Sequence, residues 1–432
     1  MRHWFTITVT RSGCIFMVTL IMMSLPSIVE AQKPKDKKLN RVNLAELYSE
    51  NRFTDFNAVI FHDSDEESIV FLKVNLDDLL YTADLQTGKH SAHFSIRYWL
   101  LSAYESKLPV DTGSLDCIDS AGFGSGTEMI LRFGIRAAFP GGYILIVKLA
   151  DENLQENNSV TEIFPVSKKS RYSGQNFLVT DENNNPVFEN SPDKDIRFRI
   201  RIRDDSIRQV IIRYYRDEMS IARTPFAIER NIPLKLDADS LYTLKLTGGE
   251  SELLRLRYPG VYLFQKNPAV IEGLTLFSFS EGFPEVESPV EAVKPLRYLT
   301  TQKEFDHLLK QPDLKTAVDS FWLERTSNQP ERAMKMIAKF YSRVMTANKL
   351  FTSYKEGWKT DRGIIYIVYG APSEVYRRTG EEEWIYGERS NMLSIRFFFD
   401  QAENPLSDND YILQRSSGYK PGWYIAVENW RR

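Results

Sequence analysis

The sequence predicts a multi-domain, mostly β protein: two immunoglobulin-like β-sandwiches followed by a small α+β domain, in which helices precede an antiparallel sheet. Three observations predict this fold class. The chain has 432 residues, more than one typical domain. Residues 45–282 contain short apolar runs separated by turn residues, as β-sandwiches do. From residue 299 onward, apolar residues recur at intervals of three and four, which indicates helices.

The first 31 residues have the pattern of a signal peptide. Arg2 and Arg11 supply the basic part, residues 13–25 are apolar, and Ala31 ends a cleavage site of small residues. The apolar stretch is shorter than the roughly 20 residues that span a membrane, and an uncleaved N-terminal anchor is the alternative. Residues 32–44 are polar and charged, and we interpret them as a flexible leader. The sequence therefore predicts an exported protein of bacterial type, periplasmic or extracellular, with no membrane span in the mature chain.

Composition narrows the classes of function. Lys and Arg total 55 against 58 Asp and Glu, a formal charge of −3, which weighs against a nucleic-acid-binding protein. Cleavage after Ala31 would remove Cys14 and leave Cys117 without a partner, so we expect no internal disulfide. The sequence lacks the motifs of zinc hydrolases, P-loop nucleotide-binding proteins and serine hydrolases. We therefore expect no cofactor and no metal.

The two sandwiches are expected at residues 45–167 and 168–282. Strands are predicted in the first at 68–76, 93–101, 129–137 and 143–149. In the second they are predicted at 177–180, 195–203, 209–215, 241–246, 252–258 and 262–265. A Pro-Gly turn followed by Tyr precedes a predicted strand in each region, at 140–143 and 259–262, positions that lie 119 residues apart. That spacing is close to the roughly 100 residues of one immunoglobulin-like domain.

An arginine strip lies on the predicted strand at 195–203. Apolar residues alternate there with four arginines, so one face is buried and the other is basic: Arg197, Arg199, Arg201 and Arg203. Four guanidinium groups in a row can bind a polyanion, such as an acidic glycan or a lipid headgroup. Acidic residues on neighbouring strands are the alternative partners. We favour them, because opposite charges commonly pair across a sheet.

The last third of the chain opens with a linker and three helices. Residues 281–296 contain three prolines and four glutamates, and we interpret 283–298 as the linker. Thr301 and Glu304 form a capping box, Asp313 opens a second helix, and Pro330 begins an amphipathic helix that ends near Phe351. Strands are predicted at 364–369, 383–386, 395–400, 411–415 and 423–427.

The densest group of specialised residues lies between the third helix and the predicted strand at 364–369. It is the run Gly357, Trp358, Lys359, Thr360, Asp361, Arg362 and Gly363. With the Ala347-Asn348 pair before it and Tyr369, Gly370 and Trp384 after it, this run resembles the GWxTD domain family over about residues 299–432. Position 373 is Ser where we expect that family to favour Asp. The family occurs in exported bacterial proteins without an established activity, so the resemblance implies a domain and no reaction.

Each residue of the motif has an expected role in a structural lock between helix and strand. Gly357 and Gly363 suit backbone turns with positive φ or a close approach of another segment. Trp358 suits a core, and Thr360 or Asp361 can accept backbone N–H bonds. Arg362 is expected to form a forked ion pair, with Asp319, Glu324 or Glu383 as the carboxylate. The alternative is a partner-binding site, because Arg and aromatic residues dominate interfaces.

The expected function is non-enzymatic: binding or assembly in the cell envelope, with the last domain as the recognition unit. An envelope protein or glycan is the expected partner, and no nucleic acid. The alternative is an envelope hydrolase that acts on glycan or peptide, with Asp361 and a nearby carboxylate as acid and base. Such chemistry needs two carboxyl groups roughly 5 to 9.5 Å apart in a cleft.

Overall fold

The computed structural model describes residues 7–11, 14–18, 38–49, 52, 54–83, 88–120, 128–156, 158–217, 219–228 and 236–431. The predicted cleavage site at Ala31 and the predicted leader residues 32–37 lie outside this set. Among the described helices, none is both long enough and apolar enough to cross a membrane. The chain is mostly β, with several antiparallel sheets and a C-terminal region of helices and sheet, as the sequence predicts.

The first β-rich region has two sheets that enclose one apolar core. Its strands are β1 (Ile7–Arg11), β2 (Cys14–Val18), β3 (Phe56–Phe61), β4 (Ser68–Asn75), β5 (Thr82–Ala83), β6 (His90–Leu101), β7 (Asp111–Asp119), β8 (Glu128–Ile135), β9 (Gly141–Asp151) and β10 (Ser159–Lys168). β3, β4 and β8 form one sheet, β5, β6, β7, β9 and β10 form the other, and β1 pairs with β2. Leu72 of β4 and Ile96 of β6 are fully buried in the same cluster, so the core lies between the sheets.

The second β-rich region is one antiparallel sheet whose two ends share a core. Its strands are β11 (Phe177–Asp181), β12 (Phe198–Ile202), β13 (Gln209–Arg216), β14 (Ser240–Thr247), β15 (Glu250–Ser251), β16 (Gly260–Gln265) and β17 (Leu274–Ser278), in the order β11-β12-β15-β14-β13-β16-β17. Ile200 of β12 and Phe264 of β16 belong to one buried cluster. The strand predicted at 252–258 is wrong, since the described chain pairs there only through Leu254, opposite Phe198.

The C-terminal region packs helices against a four-stranded antiparallel sheet. The helices are α1 (Pro289–Val293), α2 (Gln302–Leu309), α3 (Leu314–Arg325), α4 (Pro330–Phe351), α5 (Asp361–Tyr369) and α6 (Lys420–Arg431). The strands β18 (Glu374–Arg378), β19 (Glu381–Tyr386), β20 (Ile395–Gln401) and β21 (Tyr411–Leu413) pair in chain order. The three predicted helix starts are confirmed: Thr301 and Glu304 form the capping box, Asp313 caps α3, and α4 begins at Pro330.

Two strands predicted in the C-terminal region are wrong. Residues 364–369 belong to α5, and residues 423–427 belong to α6, so a helix follows the sheet. α5 is buried on nearly every side, and a helix apolar all round has no polar face to reveal its period. α6 buries Trp423, Val427 and Trp430, which are four and then three residues apart. The predicted strand at 423–427 is too short to reveal this helical spacing.

Two segments outside the predicted last domain pack into its core. Leu44, the last residue of the predicted leader, is buried there, and so are Leu47 and Tyr48, which were assigned to the first sandwich. Val293 and Leu296, from the stretch interpreted as a linker, are buried in the same cluster. That stretch forms α1 and a 3-10 turn at Lys294–Leu299. The C-terminal core therefore contains residues 44–48 as well as residues from the last third of the chain.

Candidate functional site

The motif residues form a tight turn that starts α5. Gly357–Lys359 is one 3-10 turn, and Thr360 is the N-cap of α5. The Thr360 hydroxyl donates to the Gly357 carbonyl at 2.8 Å and accepts the Gly363 N–H at 3.0 Å. The predicted joint between a helix and a strand is therefore a joint between two helices, α4 and α5. Of the two residues proposed as a cap, Thr360 fills the role.

The two glycines of the motif allow close backbone approach. A Cβ on Gly357 would overlap the Ala347 carbonyl oxygen of α4, and a Cβ on Gly363 would overlap the Gly357 carbonyl oxygen. Neither glycine has a positive φ, so the need for glycine is steric. These contacts place the start of α5 directly against the last turns of α4.

Trp358 is 4% exposed and is held at both backbone groups. Its N–H donates to the Asn348 side-chain oxygen at 3.1 Å, and its carbonyl accepts the Tyr298 hydroxyl at 3.0 Å. The Asn348 amide also donates to the Pro284 carbonyl at 3.0 Å. Asn348 thus connects α4, the motif and the segment before α1.

Asp361 forms a largely buried, bidentate ion pair with Arg415. The guanidinium nitrogens lie 2.9 and 2.5 Å from the two carboxylate oxygens, and each side chain is 10% exposed. One oxygen also accepts the Leu413 N–H at 2.8 Å. Both oxygens of Asp361 are therefore engaged by the strand β21 and the residues that follow it.

Arg362 reaches a carboxylate that was not among its predicted partners. Its guanidinium lies 3.3 Å from Glu382 of β19, and it also bonds to both oxygens of Asn409, the carbonyl at 3.0 Å. The prediction of Asp319, Glu324 or Glu383 is wrong. Successive strand residues alternate between faces, so Glu382 lies on the inner face with Trp384 while Glu383 lies on the other.

Glu382 is the centre of a buried cluster of charged and aromatic side chains. Its side chain is fully buried and lies 3.3 Å from both Arg362 and Arg377. It accepts the Trp384 indole N–H at 2.6 Å and the Tyr48 hydroxyl. Burial by itself raises the pKa of this carboxyl, but Arg377 and Arg362 together with the Trp384 and Tyr48 hydrogen bonds outweigh burial, so the pKa is lowered and the group stays ionised.

The comparison with protein families fits this geometry. Residues 260–432 match the model of the GWxTD domain. These residues form a GWxTD domain. The match begins 39 residues before the start at 299 that the sequence resemblance suggests, and it includes β16 and β17. Comparison with curated proteins gives no match.

The early start of the GWxTD match agrees with how the second β-rich region packs. Leu263 of β16 and Phe277 of β17 share a buried cluster with Leu406, and Tyr354 packs against it. The sheet and the GWxTD domain therefore have a continuous apolar contact through the described residues of both.

The remaining predicted site residues of the GWxTD domain, Tyr369, Gly370 and Trp384, contact other residues of its core. Tyr369 packs its ring 5.2 Å from those of Tyr386 and Phe397. Gly370 ends α5 at a φ of +88°, where a Cβ would also overlap the Arg343 guanidinium. Trp384 is fully buried and donates to Glu382. All three residues thus lie in the same core as the motif.

The arginine strip lies outside the GWxTD domain, and each arginine has a partner. Arg197 forms a forked pair with Glu182 at 2.5 and 2.6 Å, and Arg199 donates to the Asn184 side chain at 3.2 Å. Arg201 lies 3.5 Å from Glu250, on the neighbouring strand β15. Arg203 lies 3.1 Å from Asp65 of the first β-rich region. The favoured interpretation, an acid on a neighbouring strand, fits Arg201, whereas Arg199 meets an amide and Arg203 an acid of another region. Polyanion binding stays a prediction.

Sequence reasoning missed five residues of this site, and one of them left a readable signal. They are Tyr48, Arg377, Glu382, Asn409 and Arg415. Glu382 directly precedes the strand predicted at 383–386 and is two residues from Trp384, so an extended backbone puts its carboxylate on the same face as the tryptophan. A carboxylate in that position requires a cation or several donors beside it. The other four residues have no local pattern that marks them.

Proposed function

We propose that this protein is an exported component of a bacterial cell envelope, with a binding or assembly role. The two β-rich regions, proposed as immunoglobulin-like sandwiches, form a frame, and the GWxTD domain is the recognition unit. The observation that carries this proposal is a contrast within the GWxTD domain. The motif's charged side chains are occupied by internal partners, whereas Met392 and Leu393 are 99% and 90% exposed.

The exposed pair lies on an ordered turn between β19 and β20. The Leu393 N–H donates to the Asn391 side chain at 2.9 Å, and the Ser394 hydroxyl donates to the Glu388 carbonyl at 2.7 Å. These bonds hold two adjacent apolar side chains outward, which costs free energy in water. Contact with an apolar surface of a partner recovers that cost, so the turn is the proposed contact point.

The frame supports the recognition unit through direct contacts with the motif. Lys359 lies 3.2 Å from Asp217 of the second β-rich region, and its carbonyl accepts the Ala222 N–H at 2.8 Å. Lys355 donates to the Ser220 carbonyl at 3.0 Å. These bonds support a role in which the motif fixes the recognition unit on its frame.

Capture from an envelope extract tests the recognition role. We expect immobilised full-length protein to retain an envelope protein or glycan, and Met392→Ser with Leu393→Ser to reduce its recovery at least tenfold. The matched control is Met334→Ser, which changes a 65% exposed methionine on α4. Equal recovery by the wild type and the double variant would contradict the proposal.

N-terminal sequencing of the mature protein tests export. We expect the mature chain to start at Gln32.

The alternative function, an envelope hydrolase, depends on Asp361. Its two carboxylate oxygens already accept from Arg415 and Leu413, which favours a structural role for this residue. We expect Asp361→Asn in the full chain to lower the free energy of unfolding by about 2–4 kcal/mol, because a buried ion pair is broken. Urea unfolding measures this loss. Asp319→Asn, whose exposed pair with Lys315 contributes little, is the control.

Hydrolysis separates the two functions. We expect the wild-type protein to release no soluble products from purified peptidoglycan or from envelope peptides. Release by the wild type that Asp361→Asn abolishes, with unfolding free energy unchanged, would instead establish the hydrolase.

A further inference from the structure

We propose that the GWxTD domain contains a peptide-binding groove, which residues 43–48 of the same chain fill as an intramolecular ligand. The groove is formed by β18, β19 and α5. The sequence that fills it is Asn43-Leu44-Ala45-Glu46-Leu47-Tyr48. This site uses none of the exposed residues at the β19–β20 turn, so its test does not depend on the proposed function.

The segment hydrogen-bonds to backbone groups at the edge strand of the sheet. The Leu44 N–H donates to the Val375 carbonyl at 2.8 Å, and the Val375 N–H donates to the Asn43 side-chain oxygen at 2.9 Å. The Asn43 amide donates to the Ser373 carbonyl at 3.3 Å. β18 is an edge strand among the described strands, and such edges bind added peptide segments through their backbone groups. Asn43 therefore sets the register of the segment.

Three apolar side chains of the segment enter the core of the domain. Leu44, Leu47 and Tyr48 are 7%, 6% and 2% exposed. The Tyr48 ring lies 5.2 Å from Trp384 and 5.3 Å from Phe351. The buried positions 44, 47 and 48 have the i, i+3, i+4 spacing by which a helical segment anchors in an apolar groove.

The end of the groove is built to receive a phenol. The Tyr48 hydroxyl donates to Glu382 and accepts from Arg377, while its carbonyl accepts the Tyr366 hydroxyl at 3.0 Å. Burial raises the pKa of Tyr48, so the hydroxyl keeps its proton and its donor role. Without this hydroxyl, Glu382 would lose one of its donors in a buried position. The chemistry of the groove thus selects a peptide with asparagine, two leucines three apart and a final tyrosine.

The segment has the features of a ligand rather than of an independent element. It contains one 3-10 turn, Ala45–Tyr48, and its hydrogen-bond partners Ser373, Val375 and Glu382 lie 330–334 positions away in the chain. Because the segment and the groove belong to one chain, the binding is intramolecular, and an effective concentration on the order of 1 mM keeps even a weak peptide bound. A second peptide of this chemistry can then bind only after residues 43–48 have left the groove, either because the chain is cut or because the second peptide displaces them.

The test converts the tethered segment into a free one after the protein has folded. A specific protease site is inserted between Ser49 and Arg52 in the full chain, and the purified protein is cleaved and passed through gel filtration. A fluorescent peptide of residues 38–49 is then titrated in, and its anisotropy is measured. We expect saturable binding to the cleaved protein and none to the uncleaved protein at about 10 µM, because the tethered copy blocks the groove.

Peptide variants test which contacts the groove reads. We expect Tyr48→Phe and Asn43→Ala to weaken peptide binding at least tenfold, and Glu46→Gln, which changes a residue with no bond to the groove among those described, to bind like the wild-type peptide. The proposal is overturned by equal binding of the Tyr48→Phe peptide, by binding to the uncleaved protein, or by failure of the peptide to exchange. Unfolding on cleavage, seen by circular dichroism, also overturns it, because the segment would then be an obligatory part of the core.

Discussion

Replacing Glu382 by Gln is expected to lower the free energy of unfolding by about 3–5 kcal/mol. The substitution keeps the shape of the side chain but removes the only carboxylate that lies against both Arg362 and Arg377 in the described structure. A buried ion pair that loses one member leaves the other charge without compensation, which accounts for the size of the loss. Urea or guanidinium unfolding at pH 7, followed by tryptophan fluorescence, measures it.

The neighbouring residue supplies a matched control for Glu382. Glu381→Gln makes the same chemical change one position away, at a side chain that is 57% exposed and 3.9 Å from Arg378. We expect a change within about 0.5 kcal/mol there. Similar losses for Glu381→Gln and Glu382→Gln would contradict the central position assigned to Glu382.

The pH dependence of the Glu382 effect has a definite sign. The pKa of Glu382 is lowered in the folded protein, because burial, which raises it, is outweighed by the two arginines together with the Trp384 and Tyr48 hydrogen bonds. Its carboxylate therefore stabilises the fold fully above the pKa of an unfolded glutamate, about 4.3, and the contribution is lost as the pH falls through the lower folded value. The difference between wild type and Glu382→Gln should be constant from pH 5 to 8 and should shrink only at more acidic pH.

Gly357→Ala is expected to lower the free energy of unfolding by about 3 kcal/mol or more. The added methyl would overlap the Ala347 carbonyl oxygen and approach the Asn348 Cα at 2.8 Å. Both are backbone atoms of α4, so no side chain can rotate away, and the helix itself must shift. Overpacking in a tight core typically costs about 1–3 kcal/mol, and a backbone clash lies at or above the upper end. Thermal and urea unfolding of the full chain measure the effect.

Gly134→Ala is the control for Gly357→Ala. Gly134 lies in β8, where an added Cβ would meet no atom within 4 Å. We expect the same substitution there to leave stability unchanged or to raise it by up to about 1 kcal/mol, because alanine restricts the unfolded chain. If Gly357→Ala were as harmless as Gly134→Ala, the close approach of α4 and α5 would not be what the motif's first glycine provides.

Local signals predicted the parts of the GWxTD domain that local chemistry decides. The Thr301 and Glu304 capping box, the Asp313 cap and Pro330 at a first turn all act within one helical turn, and each starts a helix in the structure. The alternation along β12 likewise places Ile200 and Ile202 in the core. Such signals need no knowledge of distant residues, so one sequence is enough to find them.

The same reasoning failed wherever the surroundings of a segment decide its structure. The apolar run of α5 fits a strand or a buried helix equally well, and the layers packed around it decide between them. The sequence offers several carboxylates as possible partners of Arg362, and the register of β19 in the sheet selects Glu382 among them. The sequence could not indicate Tyr48, whose hydroxyl bonds to a residue 334 positions away.

The sequence by itself determined that residues 357–363 join helix α4 to the next element and identify a GWxTD domain. It also determined the mostly β fold class and the position of the long helix. Only the tertiary structure decided what the motif holds: a helix start pressed against α4, an ion pair with Arg415, and a charge cluster around Glu382 closed by Tyr48. The physical reason is that a motif's residue types fix which bonds are possible, while burial and strand register fix which bonds form.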